Sequence, residues 1–314
     1  MSGGGVSFLS KRFFLFLGLG VGVFLALTLY GNWGEVRGAF RTFSYKTLPL
    51  ILGLAFMNYV VRFWRWQLYL KKLEIRLPAK ESFYIFMSGL VMTVTPGKMG
   101  EVLKSYLLKE GRQVPLARSA PIILAERFTD LLAVYLLTML GGISFAFGAR
   151  ILWLGMFVLI LGLLPFISPG IFHGCVRILE KRSWGKRVAG PLTEAFHTLH
   201  DLMGFRLLLI ASILGMMAWF FECLAFQTVF WGLGAHIPLI KATFIYAFST
   251  LAGALSMLPG GIGAAEGSMT SLLVLMQIPK ALATTATIII RLGTVWFAVL
   301  LGYCFLKLYQ REHP

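Results

Sequence analysis

Two pairs of ionisable residues recur in this chain at nearly the same spacing. Arg127 lies 26 residues after Glu101, and Arg291 lies 25 residues after Glu266. Each Glu stands just past a Pro-Gly turn that interrupts an apolar run. The first turn is Thr95-Pro96-Gly97-Lys98-Met99-Gly100-Glu101; the second is Leu258-Pro259-Gly260-Gly261-Ile262-Gly263-Ala264-Ala265-Glu266. An ionisable residue at membrane depth costs at least about 2.5–3.5 kcal/mol, so each needs a partner or a function. Lys98, Arg127 and Arg291 offer charged donors to an anion such as phosphate. Gly97, Gly100, Gly260, Gly261 and Gly263 let the backbone approach a ligand closely, and broken-helix ends add free N–H groups. Asp130 lies one turn from Arg127, and Glu101 lies across the turn from Lys98; both are the pairs that buried charges normally form. Glu266 is the acid expected to face Arg291. Glu101, Glu222 and Glu266 are candidate proton carriers, and Glu126 and Asp130 are candidate charge partners.

The bulk composition says where such groups must sit. The chain has 314 residues, is 58% hydrophobic and 13% charged, and has a mean hydropathy of +0.79. A soluble domain of this size could not hide that much apolar surface, so the expected class is an all-α polytopic membrane protein. The apolar stretches are long runs, which argues against a β-barrel. The net charge of +16 sits in short loops between apolar runs. That is the positive-inside pattern and not a nucleic-acid surface. Cys175, Cys223 and Cys304 are widely spaced and form no disulfide framework or zinc motif. His197 and His200 read as a solvated helix face, so no metal and no cofactor is expected.

Six full crossings are expected at Phe13–Tyr30, Thr47–Leu70, Leu116–Phe147, Ile151–Ile167, Arg206–Trp231 and Ala281–Leu306. Arg62-Phe63-Trp64-Arg65-Trp66 closes the second of these and reads as an interfacial belt. The segments before and after each Pro-Gly turn are too short to cross, so each is expected to form a re-entrant hairpin. Irregular backbone at that depth survives only inside protein or against a water-filled cavity. One membrane domain, 1–314, therefore holds a first repeat at 82–147 and a second at 240–306. Between them, 168–205 carries apolar residues at three- and four-residue steps and reads as an amphipathic cytoplasmic helix.

Counting charges orients the chain. Of 29 Lys and Arg, six fall outside: Arg37, Arg41, Lys46, Arg150, Lys241 and Lys280. Lys98, Arg127 and Arg291 fall at membrane depth, and the rest are cytoplasmic. Both termini are then cytoplasmic, as expected of a multi-pass protein of the cell's inner (cytoplasmic) membrane. One hairpin enters from each side, which makes the repeats inverted. Inverted repeats with broken helices meeting at the midplane are a transporter design.

Several motifs occur in order along the chain: Arg62-x-x-Arg65-Trp66; Pro96-Gly97-x-x-Gly100-Glu101 with Tyr106-Leu107-Leu108; Glu126-Arg127-x-x-Asp130; and Leu258-Pro259-Gly260-Gly261-Ile262-Gly263-x-x-Glu266 with Gly302. Together they resemble the flippase-like integral membrane family, that of the transmembrane domain of lysylphosphatidylglycerol synthase, over about Lys11 to Leu306. Lys98 and Lys104 depart from the Arg found in many relatives, and Lys is a poorer bidentate phosphate ligand. The soluble synthase domain has no counterpart before Pro314, so the resemblance does not imply synthase activity. It implies a lipid flippase, with a polar midplane cavity binding a headgroup. Phospholipid, polyprenyl phosphate and glycolipid all suit such a cavity. A homo-oligomer or a separate lipid-modifying enzyme remain open as partners. A membrane-embedded enzyme acting on lipid-linked substrates and a small-anion transporter are the competing readings.

Overall fold

The computed structural model describes residues 18–95, 101–142 and 183–312, with scattered positions between 153 and 177. Helices and their short connections make up these residues, and no strand occurs among them. Helix α1 covers Gly18–Tyr30. A short helix α2, Trp33–Thr42, follows, and the Asn32 side chain caps it by accepting from the Gly34 N–H at 3.1 Å. Helix α3 runs Leu48–Lys72 and carries Pro49 in its first turn, where the missing N–H costs nothing.

Next come α4 (Ala79–Gly89) with a 3-10 turn at Leu90–Val94, α5 (Leu103–Arg112) and α6 (Leu116–Gly142). Helix α7 is Ser183–Leu202, and α8 is Phe205–Gly232. Helix α9 (Leu239–Leu255) leads through a 3-10 turn at Pro259–Gly261 into α10 (Ala264–Leu275). Helix α11 (Lys280–Arg291), a π turn at Leu292–Trp296 and α12 (Phe297–Glu312) form one continuous rod.

Among the described residues, three stretches are long and apolar enough to cross a membrane: Tyr45–Lys72, Phe205–Gly232 and Lys280–Glu312. They coincide with three of the six expected crossings. Helix α6 reaches about 40 Å at the α-helical rise, though charged residues interrupt its apolar surface. The expected crossing at Ile151–Ile167 and the start of the first crossing before Gly18 lie outside the described residues. So does the first Pro-Gly turn, with Gly97, Lys98 and Gly100.

Helix, break and short helix recur in both halves. At 1.5 Å per residue α4 and α5 are each about 15 Å long, half of a hydrocarbon core of about 30 Å. Arg112 Nε donates to Glu81 at 3.0 Å and ties the two arms together. The broken units meet at their tips: a Cβ on Gly260 would lie 3.3 Å from the Val94 Cα. Gly260 and Gly261 have φ of +60° and +67°, which L side chains rarely adopt.

The long helices α3, α6, α8 and the α11–α12 rod thread two apolar clusters. One cluster gathers α4, α5 and α7; the other gathers α9, α10 and α11. Phe196, Leu199 and Met203 of α7 and its following turn are buried, so the apolar face of this helix packs partly on protein. One expectation is corrected. Trp66 is fully buried and donates to Ser82 Oγ at 3.2 Å, so it is no interfacial residue; Trp64 is exposed.

Among the described glycines, the tightest site falls at Gly302. A Cβ there would stand 2.1 Å from the Val91 N and 2.7 Å from the Leu90 carbonyl carbon, so α12 lies directly on the backbone of the first turn's approach. Gly302→Val should therefore overpack a backbone that cannot yield. The cost expected is at or above the usual 1–3 kcal/mol, read as a fall in thermal unfolding temperature in detergent.

Candidate functional site

The helix period builds the first cluster. Arg62 and Arg65 are three residues apart on α3 and so share a face. Glu101 and Lys104 occupy the turn that opens α5. Glu126, Arg127 and Asp130 follow on α6, where Glu126 and Asp130 are one turn apart. Packing brings the three segments together. Arg65 Nη2 donates to Asp130 Oδ1 at 2.6 Å, and Arg127 Nη2 lies 3.1 Å from Asp130 Oδ2 and 3.0 Å from Glu101 Oε2. Arg62 Nη2 stands between Glu101 and Asp130, 3.7 Å from each. Lys104 bonds to Glu126 and lies 3.4 Å from Glu101.

Arg65 and Glu126 are fully buried, and Arg127 retains 19% of its side-chain exposure. The ammonium of Lys104 also faces the rings of Trp66 at 4.9 Å and Phe86 at 5.2 Å, a favourable cation–π arrangement. Gly215 of α8 leaves room for Arg65, since a Cβ there would come 3.0 Å from Nη1. Among the described residues, the cations Arg62, Arg65, Lys104 and Arg127 thus face the carboxylates Glu101, Glu126 and Asp130, with buried Glu222 also within electrostatic reach of Arg62. Arg62 Nε and Nη2, Arg65 Nε and Nη1, and Arg127 Nε are buried and hydrogen-bond to no protein atom. A planar guanidinium with spare donors is suited to a phosphate or carboxylate.

The second cluster has a different character. Arg291 Nε donates to Glu266 Oε1 at 2.5 Å, and its Nη2 donates to the Gly260 carbonyl at 2.8 Å. The Gly263 N–H donates to Glu266 Oε2 at 2.7 Å. Arg291 and Glu266 therefore hold the second Pro-Gly turn as well as each other. The π turn begins right after Arg291, and such turns recur at functional sites. Its Thr294 carbonyl accepts from Tyr59 Oη at 2.8 Å. Close by in the fold, Tyr246 Oη donates to Glu222 Oε2 at 2.5 Å. Tyr246→Phe removes this bond from a buried carboxylate and should destabilise the protein by about 1–3 kcal/mol, checked by thermal unfolding in detergent.

The expected residues thus separate into sets. Glu101, Glu126, Arg127 and Asp130 meet in the first cluster; Gly260, Gly263, Glu266 and Arg291 meet in the second. Gly261 packs on the Gly253 backbone beside them. Glu222 accepts from Tyr246 and lies within electrostatic reach of Arg62. Sequence reasoning missed Arg62, Arg65 and Lys104. Arg62 and Arg65 were expected at an interface, yet they are 4% and 0% exposed. The signal was available in the acids: Glu101, Glu126 and Asp130 outnumber Lys98 and Arg127, the cations placed at membrane depth beside them. No group of three or more His, Cys, Asp or Glu that could hold a metal occurs among the described residues.

Comparison with known proteins places the chain. A "UPF0104 membrane protein" of Methanothermobacter thermautotrophicus is 21% identical over 90% of this chain and 91% of its own. A "UPF0104 membrane protein" of Pyrococcus horikoshii is 24% identical over 93% of this chain and 95% of its own. A further M. thermautotrophicus "UPF0104 membrane protein" alignment is 33% identical over 103 residues, 33% of this chain and 31% of the relative. The family described as "Lysylphosphatidylglycerol synthase TM region" matches residues 15–302. With that match over most of its length, the chain is a membrane protein that belongs to the lysylphosphatidylglycerol synthase transmembrane-region family.

Proposed function

We propose that this protein moves a lipid with an anionic headgroup between the two leaflets of a cell membrane. The headgroup phosphate sits among Arg62, Arg65 and Arg127, and the acyl chains stay in the surrounding lipid. The buried guanidinium donors of the first cluster that bond to no protein atom carry this reading. Buried donors left unmade are costly at membrane depth, and an anionic headgroup would fill them. The family supports a role connected with membrane lipids.

In this reading the broken helices are two re-entrant hairpins of an inverted repeat, meeting where Val94 faces Gly260. Both termini are cytoplasmic, and the protein sits in the inner membrane. Proton exchange accompanies transport through the buried carboxyls. Glu222, bonded to a phenol, is the most suitable carrier, because Glu101 and Glu266 are engaged by guanidinium groups. The test is native mass spectrometry of the protein extracted with its membrane lipids. An anionic lipid should remain bound and be lost in the Arg62→Gln variant. Retention of neutral lipids alone, or equal retention by the variant, contradicts the reading.

A further inference from the structure

A groove of about 390 Å³ lies between α1, α2 and α11, with its wall residue Ile288 one helical turn before Arg291. Phe24, Leu25, Val36, Phe40 and Ile288 line it, and Arg37 stands at its edge. Its walls are fixed by packing. A Cβ on Gly20 would lie 2.3 Å from the Trp296 ring, and Phe24 meets the same ring edge-on at 6.5 Å. Gly31 approaches both Val36 and Thr284, which joins α1, α2 and α11 at one end of the groove.

That end carries the residues of a membrane–water interface. Trp33 is 58% exposed, and Lys280 lies 5.2 Å from the centre of the Tyr30 ring. Arg37 and Arg41 lie on α2 beside them, and Arg37 is exposed and forms no ion pair among the described residues. An apolar slot therefore opens at headgroup depth beside an available cation.

We propose that this groove is a binding site for one acyl chain of an anionic phospholipid, with the phosphate on Arg37. The chain buries its methylenes against α1, α2 and α11, gaining the usual apolar stabilisation. Arg37 selects the headgroup charge and sets how deep the chain reaches. The site shares no lining residue with the charge clusters, and the proposal does not depend on lipid translocation.

The test reconstitutes the full chain in vesicles that contain a phosphatidylglycerol bearing a diazirine midway along one acyl chain. Irradiation is followed by peptide mapping. Labelling at Phe24, Leu25, Val36 and Phe40 should exceed that at Leu209 and Ile213, exposed apolar residues of α8, by at least about fivefold. Arg37→Gln should lower the groove labelling severalfold, and should leave labelling by the matching phosphatidylcholine probe unchanged. Thr28→Trp, which fills the groove, should abolish groove labelling and spare Leu209 and Ile213. Equal labelling of groove and α8 positions would show ordinary surrounding lipid and overturn the proposal. So would an Arg37→Gln protein that labels as the parent does, or a groove protected from both probes because a second copy of the chain covers it.

Discussion

Arg291→Ala is expected to destabilise the protein by about 3–5 kcal/mol, the cost of leaving a buried charge without its partner. The substitution removes two donors at once. Glu266 loses its 2.5 Å partner, and the Gly260 carbonyl loses its 2.8 Å partner. Both belong to the second Pro-Gly turn, which rests on Val94 of the first. The damage should therefore spread from one side chain to the contact between the two broken units. Thermal unfolding in detergent checks it: a large fall in midpoint with poor recovery of folded protein is expected. Arg291→Lys should recover only part, because an ammonium cannot reproduce the two fixed directions of the guanidinium. A midpoint unchanged by Arg291→Ala would show that the turn holds itself.

Arg62→Gln is expected to behave in the opposite way, sparing the fold and removing function. Arg62 lies 3.7 Å from Glu101 and from Asp130, too far for a hydrogen bond to either. Glu101 keeps Arg127 and Lys104, and Asp130 keeps Arg65 and Arg127. Each carboxylate of the cluster thus keeps a directly bonded cation, Glu126 keeping Lys104, so little stability should be lost. What disappears are the spare guanidinium donors assigned to the headgroup. Translocation should fall at least tenfold, which corresponds to about 1.4 kcal/mol of lost stabilisation. Arg65→Gln would not separate the two effects, because Arg65 holds Asp130 directly at 2.6 Å.

The sequence made some of this legible and concealed the rest for identifiable reasons. Apolar run length located Tyr45–Lys72, Phe205–Gly232 and Lys280–Glu312, since crossing a membrane fixes how long a helix must be. The sequence set Arg127 one turn from Asp130 and Arg291 opposite Glu266, and both ion pairs form; the Arg127–Glu101 contact was marked only by the shared spacing. Arg62 and Arg65 were misplaced because an Arg among aromatic residues near a helix end has the same local pattern at an interface and in a buried site. Only the approach of α6 and the α5 turn distinguishes the two. The π turn after Arg291 leaves no mark in composition, since Leu292–Trp296 reads as ordinary helix. Gly302 was visible as a motif residue, but its contact with the Val91 backbone is set by tertiary packing.

The central claim is that an anionic headgroup crosses by way of the Arg62 cluster. The most direct measurement reconstitutes the parent protein and Arg62→Gln in liposomes. It then follows the transfer of a fluorescent phospholipid, a polyprenyl phosphate and a glycolipid between leaflets, each in turn. The account predicts that at least one anionic lipid crosses faster than in protein-free liposomes, and that Arg62→Gln slows it at least tenfold while remaining folded. Transfer no faster than in empty liposomes for all three, or equal rates for parent and variant, would contradict it.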